Sequence, residues 1–326
     1  MLFLCSLITS RDNMIHKIIA ATVLCGIFLF FQPVHNLFPE QPPVKQIAAF
    51  DSVYNKKVIV TDTGNIRDMI FHSSQSDYTH GTIDLKAPAR LMGSFMKCMM
   101  MSLPFFEKKK QEDLKVLIIG LGTGSIPRYL RKNYPRMRID AVEIDPVVVS
   151  VAKKYFHVRE DANYTIYTDD GREFLRKTLK CYNIIFLDAY GPGDGGISRV
   201  EDLPKQLATI EFFSLVKSRL ADNGILVSNY IFVNQQHYSS FHLSQRKNFP
   251  LIYRFPLQFS NETFDYNIIL MAHKKIVPGF NRNYLLRKID NVKSPVKADL
   301  KLADYLKYFN TDHVDKRETV IELHDE

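Results

Sequence analysis

Three candidate strands in the middle of this 326-residue chain end in carboxylates: Glu143 after residues 138–142, Asp169 and Asp170 after residues 164–168, and Asp188 after the apolar run Ile184-Ile185-Phe186-Leu187. In open α/β sheets ligands sit beyond the carboxyl ends of the strands, so acids at those ends are site candidates. Each suits a different task. The two oxygens of Glu143 match a vicinal diol such as a ribose. Asp170, directly before Gly171, is placed to accept the amino proton of a base while the glycine leaves room for the ring. Asp169 competes for that role, and a helix N-cap is the other use for either. Asp188 leaves a hydrophobic strand and is placed to orient an amine and take a proton from it. It also opens the run Tyr190-Gly191-Pro192-Gly193-Asp194-Gly195-Gly196, whose glycine density suits a cover that closes and excludes water.

The elements that must position these acids are legible in residues 116–145, VLIIGLGTGSIPRYLRKNYPRMRIDAVEID. Residues 116–119 are a short apolar run suited to a strand covered on both faces. Gly120, Gly122 and Gly124 let the chain bend tightly and approach a ligand. A helix is predicted to start near Ile126 and Pro127, because proline is tolerated in a first turn. Residues 138–142 read as the next strand, and Glu143 follows the turn at the spacing of a ribose-binding acid, with Asp145 and Pro146 in register behind it. The glycine spacing narrows the ligand. A dinucleotide turn wants G-x-G-x-x-G, but the third slot holds Ser125 counted from Gly120 and Pro127 counted from Gly122. The pattern present is G-x-G-x-G, the form found in S-adenosylmethionine (SAM) folds.

Alternation of strands and helices continues beyond Glu143, with strands at 164–168, 184–187 and 225–229 and helices at 146–156, 171–179, 207–220 and 239–248. This predicts an α/β fold with a doubly wound, seven-stranded, SAM-dependent methyltransferase-like sheet. The last strands, 251–256 and 266–272, are too close for a crossover helix and should pair antiparallel. Residues 57–61, the turn 62–65 and residues 66–71 read as a β-hairpin of a small preceding domain. Residues 87–106 carry apolar side chains at helical spacing and should form one helix on the sheet, with Met92, Met96, Met99, Met100 and Met101 as core filler. The expected division is a hydrophobic segment at 1–31, a linker at 32–46, a small β domain at 47–86, the nucleoside-binding domain at 87–276 and a charged tail at 277–326.

Composition is that of a globular protein, 46% hydrophobic and 24% charged. The net charge of +8 does not point to nucleic acid, because the lysines and arginines are scattered apart from Lys108 to Lys110. Cys5, Cys25, Cys98 and Cys181 lie far apart, and His237 and His242 are not spaced for one helical face, so neither a disulfide framework nor a metal is expected. Residues 18–31 are uncharged and follow Arg11, His16 and Lys17. They resemble a short membrane anchor, with the remainder expected on the cytoplasmic side; a signal peptide with export is the alternative.

Segments from Ser52 to Ala272 resemble the spermidine synthase family, the polyamine aminopropyltransferases, and within it a divergent bacterial spermidine synthase-like branch. They are SVYNKKVIVTDTGNIRDMIFHSSQS, LIIGLGTGSIPRYL, AVEIDPVVVSVAKKYF, DDGREFL, YNIIFLDAYG and LPKQLATIEFFSLVKSRLADNGILVSN. The resemblance implies decarboxylated SAM as co-substrate and a small amine as acceptor; a homodimer, and membrane contact through the N-terminal segment, are separate expectations. It implies Gln75 near the substrate junction, Glu143 on the ribose, Asp170 on adenine and Asp188 as general base. Tyr190 and Asp194, in the glycine-rich run that Asp188 opens, are further candidates for contacts to the acceptor. Two departures stand out: family members carry aspartates where this chain has Thr123 and Gly191, and the family's tyrosine-histidine-glutamate segment is not recognisable. A methyltransferase using ordinary SAM is therefore a second reading, and a catalytically silent, membrane-tethered binding module is a third.

Overall fold

The computed structural model describes residues 42–72, 77–106, 110, 113–190, 203–232, 235–257, 266–292, 299–311 and 321–325. Gln75, Asp194, Gly191 and the hydrophobic segment 18–31 lie outside them. Among the described residues no helix is long and apolar enough to cross a membrane.

The small domain is a four-stranded antiparallel sheet, β1 (Lys45–Ser52), β2 (Lys56–Thr63), β3 (Ile66–His72) and β4 (Asp77–Asp84), paired in that order. Its centre is the expected hairpin, whose alternating residues Val58, Val60, Met69 and Phe71 are buried. The flanking strands carry weaker signals. β1 has no fully buried residue and begins at Lys45, inside the expected linker. β4 is largely polar and contains Gly81, a poor strand former.

The main sheet has the order β12-β10-β11-β9-β8-β5-β6-β7. Its parallel part comprises β5 (Lys115–Ile119), β6 (Arg138–Glu143), β7 (Tyr164–Thr168), β8 (Tyr182–Leu187) and β9 (Leu220–Phe232). β10 (Leu251–Leu257) and β11 (Tyr266–His273) close it antiparallel, as the short connection required. Every residue of β8 is buried, as expected of a central strand covered by helices on both faces. The helices are α1 (Ser94–Met99), α2 (Ser125–Asn133), α3 (Pro146–Tyr155), α4 (Gly171–Lys177), α5 (Ile210–Ser218), α6 (Gln235–Arg246) and α7 (Arg282–Asp290). One core lies between the sheet and α1, α2 and α7, the other between the sheet and α4, α5 and α6. Val148, Val151 and Phe156, in and just after α3, pack with the buried face of the small sheet, which fixes that sheet beside the carboxyl ends of β5 and β6.

Several expectations need correcting. Residues 87–106 are not one helix: Gly93 sits in extended conformation before α1, and after Met99 the chain tightens into a 3₁₀ turn, Met100–Phe105, with Pro104 inside it. Met96, Met99, Met100 and Met101 are nevertheless buried in the core. The sheet has an eighth strand, β12 (Asn310–Thr311), on the edge of β10. The described residues after 277 are thus built into the fold. Leu285, Ile289, Leu302 and Leu306 join the core, and the amide of Ile210 donates to the carbonyl of Leu323 (2.9 Å). β9 begins at Leu220 rather than 225, and α5 runs from Ile210 to Ser218, its start set by the Thr209 cap, whose hydroxyl accepts from the amide of Phe212.

Candidate active site

At the topological switch between β5 and β8 a cavity of about 250 Å³ opens beyond the strand ends. Its walls come from both sheets. The main sheet contributes Ile119, Gly120, Gly122, Val142, Glu143, Ile144, Asp170, Gly171, Asp188 and Tyr190; the small sheet contributes Tyr54, Asn55, Phe71 and His80. Three of the sequence-derived acids therefore converge on one space.

Gly120 (φ +93°) and Gly122 (φ +51°) adopt the left-handed region that favours glycine. A Cβ on Gly120 would stand 2.1 Å from the carbonyl oxygen of Asp188, so glycine there lets the ends of β5 and β8 close together. The same turn fixes Glu143. One carboxylate oxygen accepts from the amides of Leu121 (2.9 Å) and Gly122 (3.4 Å), and the other accepts from the amide of Asp145 (3.1 Å). Burial pushes the Glu143 carboxyl up from its ordinary value, and these amides oppose the rise by stabilising the anion. A carboxylate has about four acceptor positions, so these three bonds leave room for a further donor.

Asp170 caps α4, accepting from the amides of Arg172 (2.8 Å) and Glu173 (3.0 Å), and also lines the cavity. The capping role weighed for it is thus present, and the same side chain stands at the cavity wall. Asp169 turns away instead: it pairs with Lys177 (3.0 Å) and is absent from the cavity wall. Asp145 is likewise not at the wall. One oxygen caps α3 through the amide of Val147 (2.8 Å), while the other accepts from the hydroxyl of Ser52 (2.5 Å) and the side-chain amide of Asn55 (2.8 Å). This contact ties the β1–β2 turn to the main domain. Gly124 (φ +67°) packs against Val158, where a Cβ would stand 2.3 Å from a methyl carbon.

Asp188 faces the cavity with one resolved hydrogen bond, from the side-chain amide of Asn229 (2.9 Å). Burial raises its carboxyl above the ordinary value and the Asn229 bond opposes the rise. Among the described residues no cation pairs with it. Tyr190 donates its hydroxyl to the backbone carbonyl of Asn229, which ties the chain just after β8 to β9.

Sequence reasoning missed the small-sheet wall. Asn55 is 4% exposed, and its side-chain carbonyl oxygen has no partner among the described residues. His80 stacks on Phe71 (4.0 Å between ring centroids, 29°) and burial lowers it to about 4, so the imidazole is neutral at pH 7. No local motif marks either residue; only the docking of the small sheet brings them in. Thr123 lies outside the cavity under β4: it is 4% exposed, and a Cβ on Gly81 would stand 2.7 Å from its methyl carbon. Among the described residues no group of His, Cys, Asp and Glu is arranged to hold a metal ion, and Cys98 and Cys181 are free thiols.

Residues 94–275 match the family model of the spermine/spermidine synthase domain. The chain is 39% identical over 118 residues to the polyamine aminopropyltransferase of Vibrio vulnificus, an alignment covering 35% of this chain and 37% of that enzyme. It is 30% identical over 208 residues to the polyamine aminopropyltransferase of Clostridium botulinum, covering 61% of this chain and 66% of that enzyme. The chain thus spans less than two thirds of each of these curated relatives. Its fold is similar to a probable spermidine synthase from Corynebacterium glutamicum (TM-score 0.61, 17% identity, 85% of this chain and 99% of that one). It is also similar to human methyltransferase-like protein 13 in complex with SAH (TM-score 0.53, 22% identity, 69% and 96%).

Proposed function

The chain belongs to the spermine/spermidine synthase domain family, and from that premise we propose that it is an aminopropyltransferase acting on decarboxylated SAM and a small amine. The reading rests on one observation above all: Asp188 presents a desolvated carboxylate to a nucleoside-sized cavity with an amide, and no cation among the described residues, for company. A buried carboxylate without a counter-charge is costly, and a cationic amine supplies the missing charge.

In this reading Glu143 holds the ribose diol, Asp170 the adenine amino group, and Ile119, Val142 and Ile144 the faces of the nucleoside. The unpartnered oxygen of Asn55 adds a second acceptor beside Glu143. Asp188 draws in the amine and takes a proton from it. The nitrogen lone pair then attacks the propyl carbon next to the sulfonium, the carbon–sulfur bond breaks, and its electron pair neutralises sulfur to release methylthioadenosine. Positioning and exclusion of water carry the rate.

The test is turnover of purified protein with decarboxylated SAM and a panel of di- and triamines, read as methylthioadenosine release. Wild type should turn over. Asp188→Asn should lose at least a hundredfold in kcat, the typical contribution of a general base, while calorimetry still registers the nucleoside. Methyl transfer from ordinary SAM, with no reaction of the decarboxylated donor, would overturn the proposal in favour of a methyltransferase.

A further inference from the structure

The last hairpin of the sheet reaches the reaction centre through a pair of amides. Asn229 lies in β9 and Asn267 in β11, and these strands pair antiparallel with Asn229 opposite Ile269 and Asn267 opposite Ile231. The two asparagines are therefore diagonal neighbours, two residues apart in register, and share one face of the ladder. Their side chains meet: Asn267 donates its amide to the Asn229 carbonyl oxygen (2.9 Å), and Asn229 donates its own amide to Asp188 (2.9 Å). The direction of this chain matters. An asparagine can present either its oxygen or its NH₂ group to a neighbour. With Asn267 donating, the oxygen of Asn229 is engaged and its NH₂ group must point at Asp188. Tyr190 holds the backbone at the same point by donating to the carbonyl of Asn229.

We propose that Asn229 and Asn267 are positioning residues for the proton acceptor of the transfer reaction: a two-amide relay that orients the Asp188 carboxylate and keeps it ionised. The inference rests on the base role given to Asp188 above. Burial favours the protonated form of Asp188, and the Asn229 bond is the one contact that resists it. Asn229 is itself 2% exposed, so its NH₂ group has no solvent to turn to. The other ionisable groups facing the cavity are Glu143 and Asp170 from the main sheet, Tyr190 from the end of β8, and Tyr54 and His80 from the small sheet. Of these groups Tyr190 bonds to the backbone carbonyl of Asn229, a contact that a side-chain substitution leaves in place, so substitutions at 229 and 267 act on Asp188 first.

The experiment compares Asn229→Leu and Asn267→Leu with wild type in two readouts. In the pH profile of kcat/KM, Asn229→Leu should move the acidic limb upward by about one unit, a tenfold loss on the acid side, because one hydrogen bond to a charged group disappears. Asn267→Leu should shift the limb in the same direction by less, since Asn229 keeps its amide but loses the partner that aims it. The second readout is the titration of Asp188 in ligand-free protein, followed by carbon-13 NMR of labelled aspartate and assigned by the signal lost in Asp188→Asn. It should show the same ordering whether or not the protein turns over an amine. Unshifted titration in both folded variants would overturn the relay even if activity fell. Shifted titration in a protein that does not transfer aminopropyl groups would leave the relay standing and remove the reaction assigned to it. Asn267→Leu, half-buried at the start of β11, keeps the test decisive should Asn229→Leu fail to fold.

Discussion

The contact between Asn55 and Asp145 is the sharpest test of how the cavity is assembled. The Asn55 amide donates to Asp145 across 2.8 Å, both residues are at most 4% exposed, and they are 90 positions apart in sequence. Replacing Asn55 with alanine removes one hydrogen bond to a charged acceptor, worth about 1.5–3 kcal/mol. Asp145 keeps Ser52 and the amide of Val147, so the loss should fall near the lower end, about 2 kcal/mol. For a domain of this size that is a drop of about 4–8 °C in Tm, measured by circular dichroism at pH 7. Asn55→Asp is nearly isosteric but sets a second carboxylate against Asp145, and it should melt lower than the alanine variant at neutral pH. An acid beside a like charge has its folded pKa raised, so the stability it contributes is present at low pH and lost as pH rises through that value. The aspartate variant should therefore recover on acidification while the alanine variant does not. Because Tyr54 and Asn55 line the cavity, both variants should also raise KM for the nucleoside donor more than they lower kcat. An alanine variant melting within a degree of wild type, with an aspartate variant insensitive to pH, would refute the claim that this contact holds the small sheet in place.

Glu143→Gln should raise KM for the donor by about tenfold with kcat nearly unchanged, since an amide NH₂ placed against the amides of Leu121 and Gly122 cannot accept as the carboxylate does. Asp188→Asn should melt above wild type at neutral pH. Burial raises the Asp188 carboxyl, so its contribution to stability is present at low pH and lost as pH rises through the folded-state value; the gap between the two proteins should close on acidification, followed by thermal melts across pH. Asp325→Ala should lower stability by about 1–2 kcal/mol, because it leaves the nearly buried Arg172 without its carboxylate partner; a melt that does not move would show that this contact is dispensable.

Residues 115–188 were legible because each signal there is local. Apolar runs bounded by glycine or acid mark buried parallel strands, and strand ends in such a sheet point to one side, so Glu143, Asp170 and Asp188 could be grouped before any coordinates. Asp169 and Asp145 share the same neighbourhood in sequence yet face elsewhere, because rotation along the chain separates adjacent residues. The helix expected at 87–106 failed for a related reason. Helical spacing of apolar residues registers burial, and residues 94–105 are indeed mostly buried, but Gly93 and Pro104 decide how much of the stretch is α-helical.

What could not be read is whatever depends on register between distant strands. Asn267 meets Asn229 because β9 and β11 pair with one offset, and a slip by one residue would turn Asn267 to the opposite face. His80 and Asn55 reach the cavity because the small sheet docks on α3 through Val148, Val151 and Phe156. The same docking changes the meaning of Thr123. In sequence it marks a missing acid within the glycine turn, and so a weakness in binding a cationic tail. In the structure Gly81 closes over it and its hydroxyl bonds to Ser125 (2.9 Å), so that position serves the seating of β4. The group from the small sheet that faces the glycine turn across the cavity is His80, whose ring nitrogen would stand 3.6 Å from a Cβ on Gly122. The imidazole is neutral, so the net negative charge facing the cavity is concentrated on Glu143, Asp170 and Asp188, and of these Asp188 alone has, among the described residues, neither backbone amides nor a capping role to occupy its carboxylate.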